Sequence, residues 1–134
     1  MRFVQRLTVA VGSTITSPST GRIRLIKGTI KNIEIEFRPG CAWYVYVVIH
    51  DRILQIAPSN PEEAFRADDE IMSFTMNYPM IDAPYDLHLI GWSTGATYPH
   101  IITFRIDVDT TEGDDREILL KLMGEAFKPF GDKQ

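Results

Sequence analysis

Apolar and polar residues alternate along most of this chain, with the short period of half-buried β-strands. The clearest case is His100 to Val108, where Ile102, Phe104, Ile106 and Val108 alternate with Ile101, Thr103, Arg105 and Asp107. Ile33, Ile35 and Phe37 alternate in the same way with Asn32, Glu34 and Glu36. The start repeats the pattern over Phe3, Leu7, Val9 and Val11, as do Glu70 to Tyr78 and Tyr85 to Trp92, with Tyr85, Leu87 and Leu89 on one face. Ile53 to Ile56 reads as a short return or an extension of the strand before it. Breakers separate these runs at intervals of roughly ten residues, the spacing of an all-β sandwich or barrel.

Three connections carry particular expectations. GSTITSPSTG, from Gly12, reads as a long loop or an arm crossing between parts of a sheet. RIRLIKGTIKNIEIEFR, from Arg22, reads as one ribbon with Gly28 at a bulge or bend. APSNPEEAFRADDE, from Ala57, reads as a loop with one helical turn over Glu62 to Phe65.

One strand departs from the rule. In PGCAWYVYVVIHD, residues 39–51, Trp43, Val45, Val47 and Ile49 are interleaved with Tyr44, Tyr46, Val48 and His50. Neither face is plainly made for water. If the first set fills a core, the second points outward with the mixed character that interfaces favour. After Thr110 the period changes: Ile118, Leu119, Leu122, Met123 and Ala126 recur at helical spacing behind an acid-rich start. The expected architecture is therefore mainly β: an antiparallel, jelly-roll-like β-sandwich over residues 1–110. A C-terminal amphipathic helix and tail over 111–134 either joins that domain or serves assembly. Tyr44, Tyr46 and Val48, with Ile118, Leu119, Leu122 and Met123, are the expected oligomer interface.

The totals constrain function mainly by exclusion. A chain of 134 residues, 44% hydrophobic and 24% charged, fits one globular domain that needs no metal or disulfide to hold it. No apolar run is long enough for a membrane-spanning helix. The alternation near the start reads as a strand rather than a signal peptide, so the chain is expected to be used without secretion. The net charge of −4 is unevenly placed: six basic residues (Arg2, Arg6, Arg22, Arg24, Lys27, Lys31) and no acid precede Glu34. These are either the solvent sides of strands or an edge that docks on an acidic neighbour. Nucleic-acid binding is not expected, because the balance is acidic and the basic segment lacks interleaved aromatics.

No residue set announces a reaction. His50, His88 and His100 are far apart and show no His-x-His pair, so neither metal nor cofactor is expected. Asp68, Asp69 and Glu70 lack the loop spacing that calcium requires and read as a solvated turn. Cys41, beside Gly40 at the head of the most apolar strand, reads as a small buried hydrophobe. Trp92 and Tyr98, flanking STGAT, are the candidates for stacking on a sugar.

Several segments together resemble small all-β structural proteins of tailed viruses of bacteria and archaea and of prophages. The pieces are Pro39, Gly40 and Cys41 before the apolar strand, and the loop Pro58, Ser59, Asn60, Pro61. To these are added the entry Asp69, Glu70, the pair Pro84, Tyr85, and Thr97, Tyr98, Pro99, His100 leading into the last strand. The likeness covers roughly residues 22 to 108. It implies a non-enzymatic virion component, in capsid decoration, at a vertex or in a tail, made in the host cytoplasm. The implied partners are copies of itself, as a trimer or pentamer, and other virion proteins such as the major capsid protein. A lectin-like carbohydrate-binding module, free or serving host attachment, is the alternative.

Overall fold

The computed structural model describes residues 1–60 and 62–110. The helix expected around Ile118 to Ala126, with the interface residues Ile118, Leu119, Leu122 and Met123, lies outside the described residues. Among the described residues eight strands follow one another: β1 (Arg2–Val9), β2 (Ser19–Arg24), β3 (Gly28–Phe37), β4 (Val45–Asp51), β5 (Leu54–Ala57), β6 (Glu70–Met80), β7 (Asp86–Ser93) and β8 (His100–Asp109). They form two four-stranded sheets in the orders β1-β8-β3-β6 and β2-β7-β4-β5, and every pairing is antiparallel. Consecutive strands change sheet at almost every step, and the first and last strands lie side by side. That is the winding of a jelly roll.

The alternation read from the sequence fills the space between the sheets. Ile33, Ile35 and Phe37 of β3 pair across to Ile106, Phe104 and Ile102 of β8, and all six are buried. Val45, Val47 and Ile49 of β4 and Leu87 and Leu89 of β7 close the core from the other sheet. Cys41 is buried among them, and desolvation pushes its thiol above the ordinary value, with Asp68 adding to the effect.

Three local expectations are corrected. The run from Arg22 to Arg38 is two strands in different sheets, because the chain crosses between them at residues 25–27. Gly28 stands at that crossing, where a Cβ would meet the carbonyl oxygen of Asp109 at 2.7 Å, and the register irregularity falls instead between Ile30 and Asn32. Glu62 to Phe65 forms no helical turn; Phe65 reaches back to β4, exchanging both backbone hydrogen bonds with Val47 at 2.9 Å. Trp43 does not join the core: it precedes β4 and is 51% exposed.

Candidate functional site

The strand registers place four loops at one end of the sandwich. Val9 pairs with His100, Phe37 with both Ile102 and Glu70, Ser19 with Gly91, and Val45 with Ser93. The connections 10–18, 38–44 and 94–99, with residues 58–60 and 62–69, therefore meet there. Hydrogen bonds stitch them together. Ser13 Oγ donates to the Ala10 carbonyl and accepts from the Ser93 amide at 3.2 Å, and the Thr94 amide donates to the Tyr44 carbonyl at 2.9 Å.

Within this end, one carboxylate sets the backbone on which two aromatics stand. Asp68 Oδ1 accepts from the amides of Gly40, at 3.0 Å, and Ala42, at 2.8 Å. Arg66 donates Nε and Nη2 to the Trp43 carbonyl, at 3.0 and 2.7 Å. Ala42 and Trp43 are held at φ of 48° and 65°, a left-handed conformation costing about 1–3 kcal/mol per non-glycine residue that persists only when surrounding contacts impose it. The consequence is that Trp43 is turned out of the core and that Tyr44, 46% exposed, leans along Gly95 of the neighbouring loop. Tyr98 is 54% exposed and packs its ring against His100, centroids 4.6 Å apart, with its hydroxyl close to Gly40. Three exposed aromatic side chains thus share one end of the molecule, on loops braced by backbone and carboxylate contacts.

A groove runs from this end along the outer face of the β2-β7-β4-β5 sheet. Tyr46 and Trp92 are register partners on β4 and β7, and their rings lie parallel within 4°, centroids 5.6 Å apart. The Arg66 guanidinium sits 4.6 Å from the Tyr46 ring centre, a cation–π contact. Next to them Val48, Ile90 and Trp92 floor a hollow of about 320 Å³. Ile15 and Pro18 bank it on one side and Glu62, Glu63 and Ala64 on the other, with His50 and Gln55 at the far end. The second face of β4 is thus partly covered by the chain's own loops. Val48 is only 4% exposed, whereas Tyr46 and His50 are half-buried.

The outer face of the other sheet is different in kind. Arg2 clasps Asp107 with two hydrogen bonds, at 2.8 and 3.0 Å, and reaches Glu34 at 3.4 Å. Arg105 pairs with Glu36 at 2.5 Å and Glu34 at 3.6 Å. Alternate cations and carboxylates on β1, β8 and β3 thus satisfy one another. The hydrogen bond from Arg2 holds the Asp107 carboxyl below its usual range. Of the six basic residues before the first acid, Arg2 and Arg22 pair within the chain, Arg22 with Asp86 at 3.5 Å.

His50 and His88 are cross-strand partners, while His100 is buried at the start of β8. Among the described residues no group of three His, Cys, Asp or Glu side chains is placed to hold a metal ion, and no helix there is long and apolar enough to cross a membrane. Trp92 and Tyr98, paired in the sequence reading, have separate neighbours: Trp92 belongs to the groove, with Tyr46, and Tyr98 to the loop end, with His100. Sequence reasoning passed over Arg66 and Asp68 as organising groups; the only hint was a charged run rich enough to cap a neighbouring loop.

No family model matches the chain, and no curated protein matches it significantly. A solved structure similar to it is the cryo-EM structure of the giant freshwater prawn Macrobrachium rosenbergii extra small virus (XSV) VLP. The likeness is at 12% identity, over 81% of this chain and 80% of that one, with a TM-score of 0.27. At that score the likeness carries no weight for fold or function.

Proposed function

We propose that this chain is a non-catalytic structural component of a virion, associating with copies of itself, and with a neighbouring capsid protein, through its loop end. The observation that carries the reading is the trio Trp43, Tyr44 and Tyr98, each about half exposed at one end of the sandwich. Aromatic side chains dominate the energetics of protein interfaces, and a cluster of them on a braced backbone loses little further freedom when a partner arrives. The virion role is supported by the resemblance of residues 22 to 108 to viral structural proteins. It is also supported by the winding, which recurs in capsid domains and lectins; this second support is an analogy of fold alone. Tyr44, 46% exposed, is included in the proposed surface. Tyr46 and Val48 contribute less, because Arg66, Trp92 and the chain's own loops already flank them.

Light scattering at micromolar concentration is the test. A trimer or pentamer is expected for the full chain, and Trp43→Asp with Tyr44→Asp is expected to return a folded monomer, since a carboxylate buried without a partner disfavours association. A monomer mass for the unaltered chain would overturn the reading.

A further inference from the structure

The groove on the outer face of the β2-β7-β4-β5 sheet is a second feature, independent of the loop end, and its chemistry is selective. Its floor of Val48, Ile90 and Trp92 offers an apolar and aromatic surface at one level. Its polar groups are concentrated on one bank and at the end: Glu62, Glu63 and His50. That bank is set in advance, because the two N–H groups of Gln55 Nε2 are shared among the carbonyls of Pro58, Asn60 and Glu63, at 2.8, 3.0 and 3.1 Å. A ligand therefore does not have to order the loop as it binds.

The lining discriminates among ligand classes. No lysine or arginine lines the groove among the described residues, and two carboxylates do, so phosphates, sulfates and acidic sugars meet repulsion without compensation. An organic cation would be repelled by the Arg66 guanidinium, which is fixed over the adjoining Tyr46 ring by its bonds to the Trp43 carbonyl. At about 320 Å³ the hollow is at the small end of ligand pockets, suited to a compact ring rather than to the face of a helix. What remains is a neutral molecule with one apolar face and a rim of hydroxyl donors.

We propose that this groove binds a neutral saccharide, the C–H face of a sugar ring packing against Trp92 and its hydroxyls donating to Glu62 and Glu63, with His50 as a further polar partner. Tyr98 takes no part. The site does not depend on the assembly reading, and its failure would leave that reading intact.

The chain has two tryptophans, Trp43 and Trp92, so the full-length protein labelled with 5-fluorotryptophan gives one fluorine signal in the groove and one at the loop end. The probes are neutral mono- and disaccharides of glucose, galactose, mannose and N-acetylglucosamine. They are titrated to about 10 mM, where a site as weak as about 1 mM is filled. At least one is expected to move the Trp92 signal saturably while the Trp43 signal stays in place. Glu62→Gln with Glu63→Gln, on an exposed loop and so without effect on folding, is expected to weaken that binding at least about fivefold, and Trp92→Ala, which lacks the groove reporter and is titrated by calorimetry, more than about tenfold. No saturable movement with any neutral sugar, or movement only with choline or a sialylated sugar, overturns the proposal. So does binding that survives both variants unchanged.

Discussion

The two outer faces of the sandwich solve the same problem in opposite ways. On the β1-β8-β3-β6 sheet, Arg2, Asp107, Glu34, Arg105 and Glu36 pair among themselves across three strands and leave the face at ease in water. On the β2-β7-β4-β5 sheet, Tyr46, Ile90 and Trp92 face outward and are only partly sheltered by flanking loops, while Val48 between them is covered. The first face pairs its charges within one chain, with Val4 and Ile71 exposed beside them. The second, with the aromatic loop end beside it, has apolar area to offer a ligand or a partner.

The largest effect expected from breaking this arrangement is at Asp68. Its carboxylate accepts two amide hydrogen bonds and holds Ala42 and Trp43 in their left-handed conformation. Hydrogen bonds to a charged acceptor contribute roughly 1.5–3 kcal/mol each, so Asp68→Ala is expected to lower stability by about 3 kcal/mol in urea unfolding. The exposed aromatics should lose their fixed orientation with it.

A smaller effect is expected where the two sheets are joined at the far end. Tyr78 on β6 donates its hydroxyl to Asp51 on β4, and burial together with that hydrogen bond pushes its pKa up to about 12. The unfolded tyrosine ionises near its ordinary value while the folded one stays neutral. The contribution is therefore present below about pH 10 and is lost as pH rises toward about 12. Urea titrations across that window should show stability falling in the wild type, and Tyr78→Phe should flatten the fall while costing about 1.5–2 kcal/mol at neutral pH.

The smallest effect belongs to the charged face. Arg2 depresses Asp107, so the pair's contribution is present above the usual carboxylate value and fades as pH falls through the lowered one. Asp107→Asn is expected to cost less than about 1 kcal/mol, because exposed ion pairs are screened by solvent and salt. It should also flatten the acid limb of the stability profile. A cost as large as that at Asp68 would mean that this face, too, depends on single contacts.

The sheets themselves were legible because strands such as β3 and β8 place every second apolar side chain in the core, and no competing period intrudes. The crossing between β2 and β3 was not, since Ile23, Leu25 and Ile26 continue an apolar pattern straight through the change of sheet. The exposure of Trp43 was hidden for another reason. Its backbone is set by Asp68 and Arg66, more than twenty residues away, and alternation cannot register a remote carboxylate or guanidinium. The groove likewise arises from register: Trp92 meets Tyr46 only because β7 and β4 pair as they do. Of the candidate residues, Tyr44 and Tyr98 could be read from composition near turns, whereas the groove's Glu62 and Glu63 are brought beside His50 from a separate segment.

Acrylamide quenching of Trp43, in a Trp92→Phe variant that leaves it as the sole indole, tests most directly whether the loop end is an assembly contact. A chain that associates through this end should shield Trp43 at high concentration and release it to full quenching on dilution, in step with the fall in mass. Quenching that stays high and constant while the oligomer forms, or a chain that never forms one, would contradict the account.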